Sequence, residues 1–149
     1  MREYRAKYSD KWIYGAYYKF LPYTPSPVIK DETDLPSENE YKHLIITDGF
    51  SDWNMPRDLK VYEVEKDTVG QGTGMYDKNN HEIFEGDFIK IPDSWDDYGT
   101  AAGMIYEIYY NEGFRLKPKS NPKARGNWLE STKDFEIVGN KIDNPELSY

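Results

Sequence analysis

The stretch DTVGQGTGMYDKNNHEIFEGDFIKI, residues 67–91, decides the fold of this chain. At its centre, residues 77–80 (DKNN) are typical of a tight turn, because Asp and Asn tolerate left-handed backbone and hydrogen-bond their own main chain. The flanking residues 75–76 and 82–84 predict a short β-hairpin around that turn. Residues 88–91 (FIKI) alternate between two faces, which predicts a further strand. The stretch therefore predicts consecutive antiparallel strands joined by short turns.

Strand-like patterns recur outside this stretch. Residues 11–20 alternate with period two, which predicts a strand or a bent hairpin in which Gly15 marks a bulge or a close backbone approach. One face of this strand would carry Trp12, Tyr14, Ala16, Tyr18 and Phe20. The other predicted strands lie at residues 43–47, 61–64, 101–110, 114–116 and 135–142. Short strands at this spacing, with turn signals between them, predict a mainly β protein that contains a small barrel.

Residues 22–40, PYTPSPVIKDETDLPSENE, interrupt the strand pattern. Their prolines exclude a helix or a central strand, so the segment is predicted to be a long surface loop. Loops of this length are functional, disordered or plain linkers. We prefer the linker or disordered interpretation.

The composition limits the class of protein. The net charge of −8 argues against a generic nucleic-acid binder, and the absence of cysteine excludes disulfides, thiolate metal sites and a thiol nucleophile. No apolar run approaches the roughly 18 residues of a membrane span, and the first residues lack the apolar core of a signal peptide. We therefore expect a soluble protein of the cytoplasm. The aromatic content of 16%, with 14 tyrosines, favours strands whose aromatic surface is only partly buried.

Charge is unevenly distributed along the chain. Residues 77–97 carry seven acidic and two basic side chains, a net of −5, whereas residues 114–128 carry five basic and no acidic ones. The basic segment is the best candidate for binding, through Phe114, Arg115, Lys117, Lys119, Lys123, Arg125 and Trp128. Cations beside aromatic rings are typical of single-strand nucleic-acid binders. The preferred alternative is a solvated loop that balances the acidic patch, within one molecule or between neighbours.

A glycine-rich run superficially resembles a phosphate-binding loop. It consists of Gly70, Gln71, Gly72, Thr73 and Gly74. A phosphate loop needs the N-terminus of a helix behind it, and often a lysine. Here a predicted hairpin follows, so we interpret the run as a loose loop.

Two sets of side chains with carboxylate or amide oxygens are candidate sites. Asp77, Asn79 and Glu82 have spacings that suit calcium, but a complete calcium loop is longer and ends in a bidentate Glu. Glu85 and Asp87 straddle a glycine, and paired carboxylates can perform acid–base chemistry. We prefer a solvated turn for the first set and a turn cap for the second.

The two histidines, His43 and His81, lie far apart in the sequence. We interpret them as surface or edge residues, since no cysteine and no further histidine accompanies them. The sequence therefore predicts no metal site, no cofactor and no catalytic residue.

Four segments carry a resemblance to a known family. They are YRAKYSDKWIYGAY (4–17), the stretch at 67–91, YYNEGFRL (109–116) and FEIVGNKIDNPEL (135–147). In these segments the chain resembles the YopX family, encoded mainly by phages and prophages of low-GC Gram-positive bacteria. The central stretch is similar to the pattern TVGQ-x-TG-x-x-DKNG-x-EI-x-EGD. It departs from it at Asn80, where glycine is usual and adopts positive φ more readily.

The resemblance implies an SH3-like barrel over residues 67–149, preceded by an N-terminal β-containing region over residues 1–66. It implies no established activity. We therefore hypothesise a non-catalytic phage or prophage accessory protein that binds an unknown protein partner or associates with itself. The alternative is a nucleic-acid-associated module that binds single strands through residues 114–128. A hydrolase that uses Glu85 and Asp87 is the least favoured class.

Overall fold

The fold comes from a computed structural model, which describes residues 3–49, 54, 57–92, 104–118, 127–128 (backbone only) and 132–147. Its strands are β1 (Tyr4–Tyr8), β2 (Lys11–Phe20), β3 (Lys42–Asp48), β4 (Leu59–Glu63), β5 (Gly70–Tyr76), β6 (Glu82–Phe84), β7 (Asp87–Lys90), β8 (Ile105–Tyr110), β9 (Phe114–Pro118), β10 (Asn127–Trp128) and β11 (Glu136–Asn140). Short 3-10 helices occupy Glu32–Asp34, Glu38–Glu40, Lys66–Thr68 and Pro145–Leu147. The predicted mainly β class is confirmed.

The chain divides into two compact units, an N-terminal one at Glu3–Val69 and a C-terminal one that begins at Gly70. In the N-terminal unit the strands are ordered β4-β3-β2-β1, and each neighbouring pair is antiparallel. The division into an N-terminal region at residues 1–66 and a barrel at residues 67–149 stays a prediction.

One face of the N-terminal sheet forms the core of its unit. Ala6, Ile45 and Val64 are buried there. Partly buried side chains pack around them, namely Tyr4, Ile13, Tyr17, Tyr62 and Val69. Directly opposed residues of an antiparallel pair point to the same side, so the register that places Ile45 between Tyr17 and Tyr62 puts all three on this core face.

The 3-10 helix Lys66–Thr68 is tied to β1. The Oγ1 of Thr68 accepts a hydrogen bond of 2.8 Å from the backbone N–H of Lys7 and donates one of 2.7 Å to the carbonyl of Glu65. The N–H of Glu65 in turn donates to the carbonyl of Lys7. These bonds satisfy backbone groups that the end of β4 would otherwise leave open.

In the C-terminal unit, a five-stranded antiparallel sheet has the order β10-β9-β8-β7-β11, and β5 pairs with β6 as a hairpin. The core contains Ile83, Ile89, Ile91, Tyr106, Ile108, Leu116 and Phe135. Among the residues that the structure describes, no sheet closes into a barrel. The finer prediction of an SH3-like barrel is therefore not confirmed.

Two glycines explain how the strands approach one another. A Cβ at Gly15 would lie 2.3 Å from the carbonyl oxygen of Ile46, so the predicted close backbone approach is confirmed. A Cβ at Gly70 would lie 2.6 Å from the carbonyl oxygen of Glu85. The loose loop predicted for residues 70–74 is wrong, because these glycines belong to strand β5. The missing side chain of Gly70 lets the strand pass close to the backbone of Glu85.

Candidate interaction surface

The N-terminal sheet has a second face, opposite its core, that is rich in apolar side chains. We call it the aromatic face, and it consists of Tyr14, Ala16, Tyr18, Phe20, Leu44, Ile46, Leu59 and Val61. The register sets Tyr18 opposite Leu44 and Val61 opposite Ile46, so these side chains share one side of the sheet. Strands β2, β3 and β4 therefore present a connected apolar surface.

Much of the aromatic face is accessible to solvent. The exposed fractions are 70% for Leu59, 57% for Val61, 55% for Tyr18 and 43% for Tyr14. The ring of Tyr18 stacks on that of Phe20, with centroids 5.9 Å apart and planes inclined by 22°. Contiguous exposed apolar surface of this kind marks interaction sites in soluble proteins.

Charged pairs border the aromatic face at both ends of the strands. Lys42 Nζ lies 2.8 Å from a carboxylate oxygen of Glu63 at one end. Arg57 lies 3.1 Å from a carboxylate oxygen of Asp48 at the other. Exposed pairs like these contribute little to stability. An apolar centre with a polar rim is the usual anatomy of a protein–protein interface.

The loop at residues 22–40 adjoins this sheet and is a surface loop, as predicted. It carries five acidic residues and one basic residue, a net of −4. Its two 3-10 helices each have a capping box, and Glu38 accepts a hydrogen bond from Lys19 of β2. Its exposed apolar side chains are Tyr23, Val28, Ile29 and Leu35. The loop therefore adds acidic and apolar surface to the same unit.

The structure places the predicted basic segment in two parts. Lys119, Lys123 and Arg125 lie outside the described residues. On the described side, Phe114, Arg115 and Lys117 belong to β9, and the backbone of Trp128 pairs with Arg115.

Two of these side chains, Arg115 and Phe114, have structural roles in β9. Arg115 is only 5% exposed, and its Nε donates to the carbonyl of Asn111 at 3.1 Å. Phe114 is partly buried against the core and lies edge-on to Tyr110, with centroids 5.2 Å apart. Lys117 is half-buried. Binding by this segment stays a prediction.

The candidate carboxylates Asp77 and Asp87 accept hydrogen bonds from backbone N–H groups. Asp77 Oδ1 accepts bonds from the N–H groups of Asn79 and His81 at 2.8 and 2.9 Å, and its Oδ2 accepts one from Ile137 at 3.3 Å. Burial would raise the pKa of Asp77, but these N–H donors outweigh it and lower that pKa. Asp87 is 1% exposed, and its Oδ2 accepts from the N–H of Phe84 at 2.8 Å. Both carboxylates therefore stabilise turns by accepting backbone hydrogen bonds.

Glu82 and the histidines have separate environments. Glu82 accepts from the N–H of Gly74 across the β5–β6 hairpin. His81 is exposed, as expected, whereas the surface interpretation of His43 is wrong, because its side chain is 6% exposed within β3. Within the described part of the chain, no three His, Asp or Glu side chains converge in a way that could hold a metal ion.

The family model of the YopX protein matches residues 3–147. The chain belongs to the YopX family. No curated protein matches it. Within the described residues, no helix has the length and apolarity that a membrane crossing requires.

Residues in two of the segments that carry the YopX resemblance form hydrogen bonds that stabilise turns. In the central stretch, the N–H of Gly86 donates to the carbonyl of Ile108, and the carbonyl of Gly86 accepts from Lys141. In the closing segment, Asn140 Oδ1 accepts from the N–H groups of Ile142 and Asp143 at 3.0 and 2.9 Å. These residues of the YopX pattern therefore have a structural role in the turns of this chain.

The aromatic face was missed as a site by sequence reasoning. The signal was present in β2, where four aromatic side chains share one face, while Ile13 and Tyr17 on the other face enter the core of this unit. The four are Trp12, Tyr14, Tyr18 and Phe20. An aromatic face that lies outside the core is either exposed or covered by a partner, and that signal could have singled out Tyr14 and Tyr18.

Proposed function

We propose that this YopX family member is a non-catalytic phage or prophage accessory protein that binds a protein partner through the aromatic face. The observation that carries the proposal is the exposure of Tyr18, Leu59 and Val61 on adjoining strands. Tyrosine offers a large, rigid surface at a low cost in side-chain entropy, which suits recognition of a protein.

The negative charge of this protein favours a partner with a basic surface. The net charge is −8, and the loop at residues 22–40 alone carries −4. Such a field accelerates encounter with basic surfaces and repels nucleic acid. The proposed partner is therefore a protein of the host or phage, located in the bacterial cytosol, with an apolar patch bordered by Lys and Arg.

We further propose that the C-terminal unit is an SH3-like module that supports this binding unit. Its five-stranded antiparallel sheet, its short turns and its isoleucine-rich core support that proposal.

Affinity capture from an infected or induced host tests the proposed function. Tyr18→Ser and Val61→Ser remove apolar surface from the aromatic face, and Tyr76→Ser is a matched control because Tyr76 is 49% exposed in the C-terminal unit. We expect a basic protein to be captured by the wild type and by Tyr76→Ser, and to be lost from the two face variants. Calorimetry with the purified partner should show about a tenfold or greater loss of affinity for each face variant.

The nucleic-acid alternative gives a different result. Binding of single-stranded DNA or RNA at low salt, falling steeply as salt rises, would favour it. That binding should then disappear when Lys117, Lys119 and Lys123 are changed to Glu. A captured partner that is retained by Tyr18→Ser and Val61→Ser would count against the aromatic face.

A further inference from the structure

Strand β4 forms an accessible edge of the N-terminal sheet. In the part of the chain that the structure describes, β4 pairs with β3 alone. Its register with β3 continues through all five pairs, from Leu59 to Glu63, without a bulge. Leu59, Lys60, Val61 and Glu63 are all exposed. An edge strand without a bulge is a template on which another strand can pair.

The two ends of this edge strand carry charges of opposite sign. Arg57 and Lys60 lie towards the N-terminal end of β4, Glu63 and Glu65 lie towards its C-terminal end, and Asp58 is the exception. A strand that is basic at one end and acidic at the other is complementary to an antiparallel copy of itself. A parallel copy would instead place like charges side by side.

We propose that two copies of this chain associate through an antiparallel pairing of their β4 edges, about a twofold axis at Val61. In this arrangement Val61 faces Val61 of the second copy. Arg57 of each chain lies diagonally across from Glu63 of the other, on the same side of the sheet. Such a contact is self-complementary, as a twofold interface requires.

The existing contacts of these side chains are compatible with the pairing. Arg57 and Glu63 have exposed partners within the chain, Asp48 and Lys42 respectively. Exposed ion pairs are weak and can extend into a network across the axis. Pairing would also join the two aromatic faces side by side, because Leu59 and Val61 belong both to that face and to the edge. This inference concerns self-association and does not depend on the proposed protein partner.

Charge reversal tests the inference, with the mass in solution measured by light scattering or sedimentation. We expect the wild type to form a dimer. Arg57→Glu and Glu63→Arg should each be monomeric, because each brings like charges together twice. An equimolar mixture of the two variants should re-form a dimer. In that mixture the carboxylate introduced at position 57 of one chain faces the guanidinium introduced at position 63 of the other, and the unchanged Glu63 faces the unchanged Arg57.

Several outcomes would overturn the inference. They are a monomeric wild type at millimolar concentration, a dimer that both charge variants keep, or a mixture that stays monomeric. Val61→Lys gives an independent check, since it places two like charges at the axis and should also produce a monomer. Circular dichroism confirms that each variant is folded. Partner capture is measured separately, so failure of self-association leaves the proposed function intact.

Discussion

The hydroxyl of Tyr17 lies 2.6 Å from Nδ1 of His43, on neighbouring strands of the N-terminal sheet. The two rings stack, with centroids 6.0 Å apart and planes inclined by 20°. The Nε2 atom of His43 is buried and has no hydrogen-bond partner among the described residues. Burial is the main cause that lowers the pKa of His43, and the positive charge of Lys19 adds to it. The fold therefore favours the neutral form of this imidazole.

We expect stability to fall in mild acid because of His43. The unfolded chain takes up a proton near the ordinary histidine pKa of about 6.5, whereas the folded chain resists protonation. The contribution of His43 is therefore complete above pH 6.5 and is lost as the pH falls towards its lowered folded pKa. Urea unfolding between pH 8 and pH 5 measures this loss.

Two variants separate this effect from general acid sensitivity. His43→Phe removes the titrating group and should flatten the pH dependence between pH 8 and pH 5. His81→Gln should keep it, because His81 is 72% exposed and Gln retains the backbone N–H that donates to Asp77. An unchanged slope in His43→Phe would contradict the prediction.

Asp77 should stabilise the C-terminal unit through its hydrogen bonds. Asp77→Asn loses the charge and one of the two acceptor oxygens, so we expect a loss of about 1–3 kcal/mol in the free energy of unfolding at pH 7. Lys78→Ala is the matched control, because it removes only the exposed pair with Glu136 and should cost at most about 1 kcal/mol.

The pH dependence of the Asp77 effect has a definite sign. The folded pKa of Asp77 is lowered, so its stabilising contribution is present above the ordinary value of 3.8 and is lost as the pH falls through the folded pKa. The difference between wild type and Asp77→Asn should therefore shrink in strong acid. Equal urea midpoints for the two proteins at pH 7 would refute the structural role.

Gly15 should not tolerate a side chain. The Cβ of Gly15→Ala would lie 2.3 Å from the backbone oxygen of Ile46, and backbone in a sheet cannot move aside freely. We expect a loss of about 1–3 kcal/mol, measured by thermal or urea unfolding. Gly49→Ala is the control, because its nearest neighbour is the flexible end of Lys60 at 3.1 Å. Comparable losses in the two variants would show that the close approach is unimportant.

Arg115 should contribute to folding more than Lys117 does. Arg115→Ala leaves a buried space and removes the bond to the carbonyl of Asn111, so we expect a loss of about 1.5–3 kcal/mol. Lys117→Ala, at a half-buried position on the same strand, should change stability by about 0.5 kcal/mol or less. The reverse order of the two effects in urea unfolding would indicate that Arg115 is held less firmly than its burial suggests.

The local patterns were the most predictable features. The turn at residues 77–80, the alternation in residues 11–20 and the close approach at Gly15 are all found in the structure. The glycines at 70–74 were misjudged because a glycine run is compatible with either a loop or a strand beside another backbone. The close neighbour of Gly70 is the carbonyl oxygen of Glu85, which lies beyond the turn at residues 77–80 and is not adjacent in sequence.

The candidate site was less predictable than the fold. Arg115 was grouped with neighbouring cations because it is close to them in sequence, yet the strand turns its side chain inward. His43 was expected at the surface, and its burial depends on the neighbouring strand that carries Tyr17. The exposure of a side chain depends on packing between segments that are distant in sequence. It cannot be predicted from the spacing of charges along the chain.

By itself the sequence determined the β class and the positions of the tight turns, because period-two alternation and turn chemistry act over a few residues. The family followed from the resemblance of four segments to the YopX pattern. Only the tertiary structure decided which face of β2 is covered. Strand order places Ile45 and Tyr62 beside one face, and the chain after β4 packs Val64 and Val69 against it. Both faces of β2 carry apolar side chains, and the core of this unit buries only the face with Ile13 and Tyr17. Tyr14 and Tyr18 remain exposed for that reason, and the surface proposed for binding follows from it.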